Sequence, residues 1–146
     1  MFALDHPVAG PPEARFQAGA FLESAKGPIA RPTSYRVASN AGPDRSGLDR
    51  DFEGRALTVP AGMAPRAREF AAGLAREHRE PEAVANALMR YFREEGFRYS
   101  LEPGAYRSDA VDEFLFERRI GFCEHYAAAF ATVMRLAGVP ARIVAG

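Results

Sequence analysis

The chain has 146 residues, 47% apolar and 26% charged, and its 19 basic residues balance 19 acidic ones for zero formal net charge. That length suits one domain or two small ones, with enough chain to bury a core. The balanced charge argues against a footprint for nucleic acid or an anionic membrane, no apolar run reaches the ~18 residues of a spanning helix, and the N-terminus shows no basic segment leading into an apolar one, as a signal peptide would.

Pro7, Pro11, Pro12, Pro28, Pro32, Pro43 and Pro60 all fall within residues 1–62, where helical periodicity is weak. TSYRVAS (33–39) alternates through Tyr35, Val37 and Ser39, and RALTV (55–59) sets Ala56 and Thr58 against Leu57 and Val59. Both patterns predict short strands, with the turn-rich NAGPDRSG (40–47) between them. Residues 1–62 are therefore expected to form a small, mostly extended β region that supports or docks the rest.

Residues 63–146 turn helical. Pro65 suits a first helical turn, and Ala67, Phe70, Ala71, Leu74 and Ala75 recur at the spacing of one helix face. Pro81 opens a second helix with the stripe Val84, Ala87, Leu88, Tyr91 and Phe92, and Gly96 stops it. FRYSL (97–101) alternates as a short strand. In DAVDEFLFERRIGF, Asp109 can cap a helix with Asp112 three residues on. Val111, Phe114 and Leu115 face inward, Arg118 and Arg119 suit the negative helix end, and Gly121 is predicted to end the helix at positive φ. A last helix starts near Cys123 and presents Tyr126, Ala127, Phe130, Val133, Met134 and Ala137 as a broad apolar face. Its alanines permit close packing, Gly138 fits the position after the helix, and Pro140 follows. The closing ARIVAG (141–146) reads as a strand just begun, so the sequence reads as truncated. The expected class is α+β, with a mostly-β part (1–62) before a helical, cysteine-bearing part (63–146).

Cys123 is the single cysteine, which rules out an internal disulfide and a multi-cysteine zinc site. At a helix start it is either a small core residue or a nucleophile. A free thiol with a pKa of about 8.5 is only about 3% thiolate at pH 7. Ionising it largely needs a shift of roughly two units, about 2.7 kcal/mol. A helix N-terminus supplies about 0.3–1 kcal/mol, up to ~2 in a partly buried setting. A neighbouring imidazolium would close the gap, and unpaired amides at the helix start could hold an oxyanion. The imidazoles are His6, His78 and His125. His125 lies two residues on, about 200° round a helix, which turns its ring away from Cys123. His78 falls at a helix end as a C-terminal cation, and His6 sits in the proline-rich stretch without catalytic context. Glu124 suits the first helical turn and would oppose ionisation of the thiol.

FRYSLEPG followed by DAVDEFLFERRIGFCEHYAAAFATVMRLAGVPARIVAG resembles the transglutaminase-like superfamily, and within it the bacterial membrane-anchored branch of the TgpA type. The matching positions are Phe114, Leu115, Phe116, Gly121, Phe122, Cys123, Glu124, His125, Tyr126 and Ala127, then Arg135, Gly138, Val139, Pro140, Ala141, Arg142, Ile143, Val144 and Gly146. Upstream, FALDHPVAGPP, SYRVAS and ALTVPAGMAPRAREFA are similar to the region that precedes the catalytic core of that branch. The resemblance implies a papain-like fold, in which the cysteine helix packs on an antiparallel sheet carrying a His and then an Asp. It implies that Cys123 attacks a glutamine carboxamide, releases ammonia and forms a thioester, whose acyl group passes to an amine such as a lysine side chain, or to water. The substrate is then a glutamine-bearing protein or peptide. The resemblance brings no cofactor, metal or nucleic acid, and it places the chain in the extracytoplasmic (periplasmic) region of a membrane-anchored parent. The family His and Asp follow the VAG segment and so fall beyond residue 146, which leaves the chain inactive alone by expectation. The alternatives are a cysteine peptidase or amidase on the same scaffold, with water as acceptor, and a non-catalytic binding or scaffold module.

Overall fold

The computed structural model describes residues 6–17, 21–40, 50–107 and 109–143. The chain divides into two compact units between Glu53 and Gly54. In the first unit, β1 (His6–Ala9) pairs antiparallel with β4 (Ala38–Asn40), and β2 (Ala14–Gln17) pairs antiparallel with β3 (Phe21–Ser24). Leu22 is buried. The strand expected over 33–39 shrinks to Ala38–Asn40, because Ala38 already faces Ala9, the last residue of β1. Further pairing would run against Gly10, Pro11 and Pro12, and prolines have no N–H for a ladder. The predicted turn lies, except for Asn40, outside the described residues.

RALTV does not form a strand. Its first three residues end helix α1 (Arg50–Leu57). Glu53, Arg55, Ala56 and Leu57 all tolerate a helix, and five residues are too few to separate a period of 2 from one of 3.6. Thr58 Oγ1 donates to the Gly54 carbonyl at 2.9 Å and closes the helix end. Residues 54–62 thereby fall in the second, helical unit.

Helices α2 (Pro65–Glu77) and α3 (Pro81–Glu94) both open on proline, where the missing N–H costs nothing. Ala67 and Ala71 of α2, and Val84, Leu88 and Phe92 of α3, are buried as their stripes predict. Gly96 follows α3 at φ 74°. The start of α2 is finished from far along the chain. Asp112 accepts from the amides of Arg66 and Ala67, each at 2.8 Å, and Asp109 Oδ2 accepts from Ala64 at 2.9 Å. Asp109 also makes the local cap expected of it, accepting from the Asp112 amide at 3.3 Å.

After β5 (Arg98–Tyr99), helix α4 (Ala110–Glu113) runs into a single π turn, Phe114–Arg118, closed by the Arg119 amide on the Phe114 carbonyl at 3.1 Å. The predicted helix stop at Gly121 is wrong. Arg119 makes the stop at φ 52°, its guanidinium held by the Glu95 carbonyl at 2.7 Å and carboxylate at 3.1 Å. Those bonds offset the cost of a left-handed non-glycine residue. Then β6 (Ile120–Gly121) pairs in parallel with β5, and α5 (Cys123–Leu136) follows.

Val111, Phe114 and Leu115 meet Ala129, Val133 and Met134 of α5 in one core. Small buried residues let α2 and α5 pack directly on each other. Aromatic rings bind α3, α5 and the π turn together: Phe92–Phe97 at 5.0 Å, Phe97–Phe114 at 5.2 Å and Phe114–Tyr126 at 5.0 Å. Gly138 closes α5 at φ 82°. Residues 141–143 are not a strand, and 144–146, Val144 and Gly146 among them, lie outside the described residues. The architecture is α+β as expected.

Candidate active site

One residue joins β6 to α5. The Arg98 amide donates to the Arg119 carbonyl and the Ser100 amide to the Gly121 carbonyl, both at 2.8 Å, which fixes β6 against β5. Phe122 is extended, at φ −112° and ψ −174°, and the helix begins at the next residue. Cys123 is therefore the first residue of a 14-residue helix, and it is exposed. The Phe122 carbonyl accepts from the amides of His125 at 2.9 Å and Tyr126 at 3.3 Å. The amides of Cys123 and Glu124 come before these and have no carbonyl one turn back. A thiol thus stands at the positive helix end beside amides able to stabilise a thiolate or an oxyanion.

Gly121 makes this junction possible by what it lacks. A Cβ there would lie 2.7 Å from His125 Cβ, 2.8 Å from Cγ and 3.0 Å from Phe114 Cε2. Only a glycine lets the strand pass this close to the first turn of α5.

Cys123 lines a pocket of about 720 Å3 with Tyr126, Ala127 and Phe130 of α5, Met89 and Arg93 of α3, and Ile143. The α5 members are spaced i, i+3, i+4 and i+7, one helix face. Ala127 and Phe130, expected on the buried face, are only half-buried. The apolar surface of α5 is wider than the core and continues into the pocket. Burial raises the Tyr126 phenol above its ordinary pKa of 10.0.

His125 lines a different pocket, about 310 Å3, with Val111, Glu124 and Ala128. The helix turn separates imidazole from thiol, as its periodicity predicts. His125 Nδ1 accepts from the Phe122 amide at 3.4 Å. This is one half of a capping box, since a phenylalanine side chain has no acceptor to return the bond. His78 follows α2 with its amide on the Leu74 carbonyl at 2.8 Å. The His6 side chain lies outside the described residues. Among the described residues, no imidazole lines the Cys123 pocket.

Sequence reasoning missed the pocket residues Met89, Arg93 and Ile143. The available signal was Met89 itself, an apolar residue beside the α3 stripe that is left 44% exposed. Also missed were the buried carboxylates Asp112 and Glu113. Glu113 accepts from the Arg107 amide at 2.9 Å and pairs with Arg118 at 3.6 Å. Two acids inside the apolar run VDEFLF were the sign that each has a fixed partner.

The sequence pattern of the transglutaminase-like superfamily matches residues 68–146. Over its full length the chain is 41% identical to the protein-glutamine gamma-glutamyltransferase of Pseudomonas aeruginosa and covers 22% of it. Over 98 residues, 65% of this chain, it is 32% identical to YebA of Bacillus subtilis, an uncharacterized protein of which it covers 13%. The fold is similar to the crystal structure of the periplasmic domain of TgpA from Pseudomonas aeruginosa bound to ethylmercury. That match has a TM-score of 0.81 at 35% identity and covers 96% of this chain and 53% of the other. A further crystal structure of the same periplasmic domain gives 0.80 at 34% identity, over 96% and 51%. The chain spans about a fifth of the first curated relative and about half of the solved domain. Among the described residues no helix is long and apolar enough to cross a membrane.

Proposed function

The chain belongs to the transglutaminase-like superfamily, and from that premise we propose that Cys123 is the nucleophile of a protein-glutamine γ-glutamyltransferase. The observation that carries the proposal is an exposed thiol on the first residue of α5, beside an apolar pocket and inside the matched segment. The thiolate attacks the carboxamide carbon of a glutamine side chain. The tetrahedral oxyanion collapses, the C–N bond breaks, and ammonia leaves with a proton from the general acid. The remaining thioester is attacked by an amine such as a lysine side chain, which gives up a proton to the general base, expels the thiolate and forms the new amide. Water in place of the amine gives hydrolysis. The amides of Cys123 and Glu124 suit the oxyanion.

The helix end supplies only part of the roughly two-unit shift that a thiolate at neutral pH requires. We assign the remainder to a His and its orienting Asp outside the described residues, since none of the pocket's lining residues can serve. The 146-residue chain by itself is expected to show no turnover, and Cys123-dependent amine incorporation by it would overturn that assignment. The similarity to a periplasmic domain supports placing this chain in the periplasmic part of a membrane-anchored parent.

The test is made on the full-length protein. Cys123→Ala should reduce incorporation of a fluorescent primary amine into a glutamine-bearing casein by at least ~10³-fold, the scale of losing a nucleophile. Peptide hydrolysis measured in parallel separates a transferase from a peptidase. Unchanged incorporation in Cys123→Ala ends the nucleophile assignment.

A further inference from the structure

We propose that His125 is a positioning residue for Cys123, which it holds through Phe122 at the junction of β6 and α5, and that it exchanges no proton with the thiol. The proposal rests on Cys123 being the nucleophile. Four side chains form a column across the junction. Arg118 Cζ lies 4.4 Å from the Tyr106 ring centroid, Tyr106 lies 4.6 Å from His125, and His125 meets Phe122 edge-on at 4.5 Å. The column is fastened along its length. Arg118 donates to the carbonyls of Pro103 and Ala105 and pairs with Glu113. The Tyr106 hydroxyl donates to the Ile120 carbonyl in β6. His125 completes the clamp by accepting the Phe122 amide at Nδ1.

On the side of Gly121 the packing is tight. The stem of His125 fills the space where a side chain on Gly121 would stand, and Phe114 closes the other side. Phe122 is the one residue between strand and helix, so the bond that holds its amide also sets the direction in which Cys123 leaves it. For Nδ1 to accept, the ring must be neutral with its proton on Nε2. An imidazole whose Nδ1 accepts a backbone amide and whose ring faces a separate pocket is a structural acceptor, not the partner of a thiolate.

The decisive comparison, in the full-length protein, is His125→Phe against His125→Asn. The first keeps a ring and loses the acceptor. The second can place Oδ1 where Nδ1 stands. His125→Phe should lower kcat for amine incorporation about 100-fold at unchanged KM, the scale of a misplacement of about 1 Å, and His125→Asn should recover most of that loss. The pH midpoint of Cys123 alkylation by iodoacetamide should be the same in wild type and both variants. Hydrogen exchange at the Phe122 amide should be about 10-fold faster in His125→Phe, as loss of one hydrogen bond implies. An alkylation midpoint raised in both variants makes His125 the thiolate's partner and overturns the proposal. So does unchanged Phe122 exchange in His125→Phe. Incorporation that survives Cys123→Ala removes the nucleophile assignment instead, and the exchange measurement still reports on the clamp.

Discussion

A methyl group on Gly121 would stand closer to His125 and Phe114 than carbon atoms normally approach. Gly121→Ala must therefore push β6 away from α5, at a cost of about 1–3 kcal/mol, typical of overpacking. The expected reading is a lower urea midpoint at unchanged slope; a midpoint equal to wild type would mean that the junction has room to give. The sequence singles out this glycine but misassigns its role, because a glycine after a helix pattern serves either a positive φ or a close approach, and spacing does not separate the two. Cys123 and His125 are a different case. Their order along a helix fixes an angle of about 200°, so their separation was legible before any coordinates. What periodicity could not say is what His125 holds instead, since its partners Tyr106 and Phe122 lie on a loop and on a one-residue link.

Among the elements, α2 depends on a partner remote in sequence. The Asp112 carboxylate caps two of its amides from inside the protein, where water cannot replace it. Asp112→Ala is expected to destabilise by about 2–3 kcal/mol, the scale for losing charged hydrogen bonds and an N-cap. Asp112→Asn, which keeps one acceptor, should cost less. Chemical denaturation of the two variants checks the order, and equal stability of Asp112→Ala and wild type would refute the cap. Helices α2, α3 and α5 were all legible, since each repeats its apolar stripe over more than two turns. Of the strands, FRYSL forms β5 over Arg98–Tyr99, but the two expected upstream mostly do not form. TSYRVAS kept only its end, because pairing stops where the prolines after β1 begin. RALTV alternated by chance at a helix end. Asp112 itself appeared as a local cap, since sequence spacing carries no sign of an amide 45 residues away.

For the molecule as a whole, tyrosine burial sets an alkaline limit. Burial is the chief cause that raises Tyr91, Tyr106 and Tyr126 above 10.0. The fold thus favours the neutral phenol. Its contribution is complete below pH 10, where tyrosines of the unfolded chain are neutral too, and it is lost as pH rises through the raised folded values. Urea unfolding should give constant midpoints from this source between about pH 8 and 9.5, with a decline above about 10. Tyr91→Phe deletes the hydroxyl that donates to the Leu115 carbonyl at 3.0 Å. It should cost about 1 kcal/mol near pH 8 and flatten part of the alkaline decline. A decline equally steep in Tyr91→Phe would assign the effect to other groups.

The cap on α2 also has a consequence in time. As the chain leaves the ribosome, the amides of Arg66 and Ala67 emerge 45 or 46 residues before the carboxylate that binds them. Thirteen residues are marginal for a helix by themselves, so α2 stays unfinished until Asp112 has been made and α4 has docked. The core closes later still, because Ala129, Val133 and Met134 of α5 complete it, so the thiol of Cys123 emerges before the scaffold that will hold it is whole.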